Sequence, residues 1–198
     1  VNHALQASHM VGDCTIKGTE GASLNIYNKG SEFYVSGIEK NLIFDNAKVV
    51  FDSGFVGYAR ARMNVSNCII KNNSDITVDT IRYSFGEGGF NLSGDMVVDN
   101  SKLTVNATTC RAINAEGSVT FKNNADVTLN IESGKSAVYA IGGITVENSK
   151  LVATHSVGGE TDDDRSIIVA GAGDILFKNS NVTLERVGGD SDWWCHAF

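Results

Sequence analysis

LIFDNAKVVF at Leu42–Phe51 decides how this chain folds, because the same phrase returns along it. It reads MVVDNSKLTV at Met96–Val105, ITVENSKLVA at Ile144–Ala153 and ILFKNSNVTL at Ile175–Leu184. Two copies carry one extra turn residue, CIIKNNSDITV at Cys68–Val78 and VTFKNNADVTL at Val119–Leu129. Each copy is two alternating apolar residues, a polar residue, Asn, a small turn and two more alternating apolar residues. Self-similarity of this kind marks a solenoid, in which a repeat buries its apolar residues only by stacking on its neighbours.

The Asn that opens each turn is Asn46, Asn72, Asn100, Asn123, Asn148 and Asn179, with spacings of 26, 28, 23, 25 and 31. This irregular period predicts a parallel β-helix whose coils differ in loop length. Each coil holds a strand before Asn, a strand after the turn, and a third stretch of small residues: RAINA at 111–115, SAVYA at 136–140, SIIVA at 166–170. Alternation sends Val119, Phe121, Val127 and Leu129 inward and Thr120, Lys122 and Thr128 outward. The inward equivalents are Met96, Val98, Leu103 and Val105 one coil earlier, and Ile144, Val146 and Leu151 one coil later. A turn Asn tolerates the left-handed backbone conformation, and its amide is expected to bond its counterpart in the next coil, forming a ladder up the rod.

Composition agrees. The chain has 21 glycines and no proline, and proline is excluded where strands must donate to neighbours on both sides. The net charge of −7 argues against nucleic acid or an anionic membrane as partner. No apolar run approaches the roughly 18 residues that span a bilayer, so membrane insertion is not expected. A start at Val1 reads as a processed chain or a piece of a longer one. Leucine-rich and hexapeptide solenoids fit worse: leucine is sparse, the second half of each repeat is strand-like, and no six-residue period exists.

Over Ala22 to Arg186 the pattern resembles the right-handed parallel β-helices of the pectate-lyase-like superfamily, and is similar to repeat-rich extracellular proteins of bacteria. The expected fold is therefore all-β, a right-handed parallel β-helix (β-solenoid) of about six to seven coils with an Asn ladder. It would occupy residues 22–187, with an irregular first coil around Asn28. Residues 1–21 would be a cap or lead-in. Residues 188–198, GGDSDWWCHAF, would be a Trp-rich cap or tail. There Trp193, Trp194 and Phe198 are either a hydrophobic lid on the last coil or an aromatic platform for sugar rings.

The resemblance also implies chemistry to look for. Related lyases use calcium to bridge an acidic sugar to aspartates, with an Arg or Lys as base. The longest interval holds GGETDDDRS at 158–166, where Glu160, Asp162, Asp163 and Asp164 offer oxygen ligands for Ca²⁺ and Arg165 stands beside them. The spacing is not that of an EF-hand, and a solvated acidic loop is the competing reading. The NTD, paired-Asp, Gly-flanked His and RIK-like pieces of polygalacturonases do not occur in order, and His155 stands alone. In YARAR, Tyr58, Arg60 and Arg62 alternate along one strand and, with Tyr83 one coil later, form either a glycan- or carboxylate-binding surface or an ordinary solvent face.

Cys14, Cys68, Cys110 and Cys195 lack metal-ligand spacing. Cys68 takes the inward position of Val119, and Cys14 and Cys195 belong near opposite ends of the rod, so no disulfide framework is expected. Asn-x-Ser/Thr sequons at Asn64, Asn72, Asn91, Asn106 and Asn181 follow from an Asn- and Thr-rich repeat and would be silent in a bacterium. The resulting expectation is a non-catalytic module of a secreted or cell-surface bacterial protein: an adhesin, a stalk or a carbohydrate-binding surface for polysaccharide or host glycan. The alternative is a calcium-dependent polysaccharide lyase or hydrolase fragment.

Overall fold

The computed structural model describes residues 8–27, 33–52, 61–80, 88–108, 110–132, 136–156 and 166–187. Among them are nineteen strands and no helix. Strand pairing sorts the strands into layers. The first is β1 (Ser8–His9), β2 (Cys14–Lys17) and β3 (Leu24–Tyr27). The second is β4 (Phe33–Asp45), long enough to serve two faces, and β5 (Lys48–Asp52). The third repeats that plan with β6 (Ala61–Lys71) and β7 (Asp75–Thr80).

The fourth layer is β8 (Gly88–Leu92), β9 (Met96–Asp99) and β10 (Lys102–Ala107). The fifth is β11 (Arg111–Ala115), β12 (Val119–Lys122) and β13 (Asp126–Ile131). The sixth is β14 (Val138–Ala140), β15 (Ile144–Glu147) and β16 (Lys150–Ser156). The seventh is β17 (Ile168–Ala170), β18 (Ile175–Lys178) and β19 (Asn181–Val187).

The pairings between layers are parallel. The strands after the turn stack in the order β3, β5, β7, β10, β13, β16, β19. The molecule is thus a parallel β-solenoid. It counts about 4 solenoid turns, where six to seven coils are expected from the sequence, and strand pairing carries the registers through seven layers.

The expected core positions are the observed ones. Two residues before each turn Asn, Phe44, Ile70, Val98, Phe121 and Val146 are buried, and so are Val49, Ile76, Leu103, Val127 and Leu151 three or four residues after it. Thr120, Lys122 and Thr128 lie on the outward side and are half-buried. In the seventh layer the inward Phe177 is 38 % exposed, because no further strand pairs with β18 among the described residues. Burying each such side chain contributes about 1.5–3 kcal/mol, and it does so only through the layers above and below.

At the turn, all six Asn have positive φ: Asn46 51°, Asn72 58°, Asn100 45°, Asn123 55°, Asn148 48° and Asn179 48°. Four of the six amides bond along the stack, but not simply Asn to Asn. Asn72 Nδ2 donates to Asp45 Oδ1 at 2.7 Å and Asn123 Nδ2 to Asp99 Oδ1 at 2.9 Å. Asn100 Nδ2 donates to Oδ1 of Asn73, the extra residue of the preceding coil, at 3.1 Å. Asn46 Nδ2 reaches only a backbone carbonyl, Gly18 O at 3.3 Å. The ladder alternates its acceptors.

Just inside the turn runs a second ladder, of serine. Ala47 N donates to Ser74 Oγ at 3.0 Å, Ser74 N to Ser101 Oγ at 3.1 Å, Ala125 N to Ser149 Oγ at 3.1 Å and Ser149 N to Ser180 Oγ at 3.2 Å. Each hydroxyl also donates to a backbone carbonyl of its own turn: Ser74 to Lys71 O, Ser101 to Asp99 O, Ser149 to Glu147 O. The buried serines therefore satisfy backbone groups that the tight turn would leave without partners.

A third ladder runs up the corner before β2, β9 and β12. Asn41 donates through its backbone N to Asp13 Oδ1 at 2.9 Å and through Nδ2 to Oδ2 at 3.0 Å. Asn67 Nδ2 donates to Asn41 Oδ1 at 2.7 Å, Asp95 N to Asn67 Oδ1 at 2.7 Å and Ser118 N to Asp95 Oδ1 at 2.7 Å. These side chains lie against the glycine of the following layer: a Cβ on Gly94 would strike Asn67 Oδ1, and one on Gly117 would strike Asp95 Oδ1. Part of the glycine content is the space this ladder needs.

Two outward columns flank the turn. On one side Lys17, Asp45, Lys71, Asp99, Lys122, Glu147 and Lys178 pair in register. On the other, Lys48, Asp75, Lys102, Asp126, Lys150 and Asn181 do the same. Ion pairs join Lys71 to Asp45 at 3.9 Å, Lys122 to Asp99 at 3.5 Å, Lys150 to Asp126 at 3.4 Å and Lys178 to Glu147 at 2.6 Å.

The corner ladder yields two expected outcomes. Gly117→Ala crowds the Asp95 carboxylate and should destabilise the fold by about 1–3 kcal/mol, measured by urea unfolding; an unchanged midpoint would refute the packing argument. Asp13 is held below its ordinary value of 3.8 by the hydrogen bond from the Asn41 backbone and then by the one from its side chain. A lowered carboxyl stabilises the fold at pH above its unfolded value and loses that contribution as pH falls through the folded value. Protection of the Asn41 amide from hydrogen exchange, relative to its intrinsic rate, should therefore fall as pH drops below 3.8 in the native protein and not in Asp13→Asn.

Candidate functional site

Tyr58, Arg60, Tyr83, Glu160, Asp162, Asp163, Asp164, Trp193 and Trp194 lie outside the described residues, as do Arg165, Cys195 and Phe198. Arg62 falls within β6, its Cα in register with Tyr34 of β4. Among the described residues, no group of three His, Cys, Asp or Glu is placed to hold a metal ion. His155 is buried, at an inward position of β16 in register with Ile131 and Arg186. Cys68 is buried, and burial pushes its thiol far above the ordinary value, which leaves it unsuited to act as a nucleophile. Cys14 and Cys68 share one column with Leu42 between them. That separation of two layers, about 9.6 Å, exceeds disulfide reach.

The polar grouping that the described residues do assemble is on the face built by the third stretch. Asn64, Asn91, Asn114 and Tyr139 stand in one outward column across β6, β8, β11 and β14. Asn114 Nδ2 donates to Asn91 Oδ1 at 3.3 Å. Arg111 braces the column: its guanidinium carbon lies 4.6 Å from the centre of the Tyr139 ring. Its Nε donates to Ser136 Oγ at 3.2 Å and its Nη1 to Asn114 Oδ1 at 3.4 Å. The stacking contributes about 0.5–1 kcal/mol at a site of this exposure and fixes the plane of the ring.

Arg62, two residues before Asn64 on β6, belongs to the same strand as this column. It is the one predicted site residue whose backbone the structure positions, and it falls beside the grouping. Arg111 and Tyr139 are not reached by sequence reasoning. Alternation along RAINA assigns Arg111 to the side of Ile113, but Ala112 and Ile113 are both buried, and this irregularity returns Arg111 to the outward side with Asn114. The available signal is the phrase apolar–Asn–apolar recurring at Asn64, Asn91 and Asn114 at coil spacing.

The column sets side-chain amides about 4.8 Å apart beside an aromatic ring stacked on a cation. Such an arrangement can hydrogen-bond an extended polar chain and pack against one of its rings. No family model, curated protein or solved structure matches the chain.

The burial pattern makes the thiols a direct probe. A thiol reagent should modify half-buried Cys14 in the native protein, while Cys68 and Cys110 should react only at the rate of unfolding; modification of Cys68 as fast as Cys14 would contradict the placement of its column.

Proposed function

We propose that the chain is a non-catalytic β-helix module of a secreted or cell-surface protein, serving as adhesin, stalk or carbohydrate-binding surface. We place its binding face on the column of Asn64, Asn91, Asn114 and Tyr139. The observation that carries this reading is the Arg111–Tyr139 stack at 4.6 Å, which presents an aromatic ring in fixed orientation at the end of a row of amides. Sugar polymers are bound through such combinations of ring stacking and planar polar groups. The chain's net charge of −7 favours a neutral glycan over an acidic one. The resemblance of the repeat to pectate-lyase-like β-helices of bacterial extracellular proteins supports the location and the substrate class. Tyr58, Arg60, Arg62, Tyr83, Trp193 and Trp194 are further contributors under this reading.

The second reading is a Ca²⁺-dependent polysaccharide lyase or hydrolase fragment using Glu160, Asp162, Asp163 and Asp164, with Arg165 as base. It rests on the acidic stretch in the longest interval between turn asparagines.

A glycan array separates the readings. Binding to neutral glycans that falls at least tenfold in Tyr139→Ala, with the fold intact by circular dichroism, supports the column; Trp193→Ala and Arg60→Ala test the outlying residues in the same way. No bound glycan leaves a pure spacer and removes the binding reading. Release of unsaturated uronides from pectin with Ca²⁺ would replace it with the lyase.

A further inference from the structure

The phrase that repeats along this chain is two phrases in alternation. In the second, fourth and sixth layers an acid precedes the turn Asn and a lysine follows it: Asp45 and Lys48, Asp99 and Lys102, Glu147 and Lys150. In the third and fifth layers the order is reversed and a second Asn is added: Lys71, Asn72, Asn73, Asp75, and Lys122, Asn123, Asn124, Asp126. Each of these flanking residues is therefore in register with an opposite charge in the adjoining layer; away from the turn Asp52 and Asp79 are in register with like charge.

The amides alternate independently of the charges. Coils that place lysine first donate an Asn amide back to the acid of the coil before, as Asn72 does to Asp45 and Asn123 to Asp99. Of the acid-first coils, the fourth layer donates instead to the extra Asn of the coil before, Asn100 to Asn73, while Asn46 donates to the Gly18 carbonyl. The extra Asn is part of this linkage in its backbone too. Asn73 and Asn124 have φ of 61° and 67°, and their N–H groups donate at 2.8 Å to Asn100 O and Asn148 O of the following coil. What looks like a one-residue insertion is a connector.

We propose that the structural unit of this protein is a pair of coils, and that the charges and asparagines flanking the turn are a recognition code by which a coil accepts only a neighbour of the other kind. The apolar core cannot perform this selection, because the inward residues of all coils are interchangeable aliphatic and aromatic side chains in the same register. Omitting or slipping by one coil keeps the core alternation and still brings Lys71 against Lys122 and Asp75 against Asp126. Omitting two restores Lys71 against Glu147 and Asp75 against Lys150. Like charges directly opposite on neighbouring strands destabilise the pairing.

Two deletions test this at equivalent joints of the corner ladder. Removing residues 95–117 takes out one coil, and removing residues 95–142 takes out two. The code requires the two-coil deletion, although shorter, to melt above the one-coil deletion in dilute buffer, and the gap to shrink in 1 M NaCl, where screening falls to about 3 Å. A one-coil deletion of equal or greater stability, or a gap indifferent to salt, overturns the proposal. Point variants of the intact chain decide the matter if either deletion fails to fold. Asp99→Lys places three lysines in adjacent layers and should melt on the order of 3–5 °C below Asp99→Asn in dilute buffer, with the difference closing in high salt. Equal melting of the two variants overturns the proposal as well.

Discussion

Parallel stacking in strict register is the constraint from which the rest of this structure follows. Because each strand hydrogen-bonds its equivalent in the next coil, every side chain stands about 4.8 Å from its counterpart above and below. No residue has a private environment; it has a column. A column must therefore consist of groups that tolerate their own kind, or groups that alternate. Apolar residues satisfy this inside, as Phe44, Ile70, Val98, Phe121 and Val146 do. Asn and Ser satisfy it because each is both donor and acceptor. Beside the turn, charged residues satisfy it by changing sign at each step, as Asp45, Lys71, Asp99 and Lys122 do; farther along, Asp52 and Asp79 stand in register with like charge.

The same constraint decides how much was legible in the sequence. The alternation around each turn Asn was enough to place the core, because inward and outward positions differ in polarity at every coil. The left-handed backbone at Asn46 through Asn179 was legible for the same reason, since few other residues adopt it cheaply. The partners of those amides were not. They depend on the residue next to the Asn one coil earlier, and so on relations across 24 to 27 residues that no local pattern reveals. The serine ladder hid in plain view, as Ser74, Ser101 and Ser149 occupy what reads simply as a small turn position.

The polar cluster on the face of the third stretch is the part least legible in the sequence. The aromatic and acidic residues that sequence reasoning singles out fall, along the sequence, where the repeat is interrupted, and they lie outside the described residues. The described residues instead gather a polar cluster on the regular face. Arg111 joins it only because β11 buries Ala112 and Ile113 in succession. A local departure from strict alternation thus creates the one cation–aromatic contact seen among the described residues. Function in a repeat scaffold is sought at irregularities, and here the informative irregularity is a single strand rather than a long insertion.

Among the described residues the column from Lys17 to Lys178 has an odd number of members, so its first and last carry the same sign. The seventh layer also has Asn181 where the other lysine-first coils have aspartate, and it lacks their second Asn. A copy set head to tail on another would lay Lys178 over Lys17 and find no extra amide to receive its turn. Open strand edges normally invite fibre growth. At such a joint the facing lysines would repel, which disfavours strand pairing between copies.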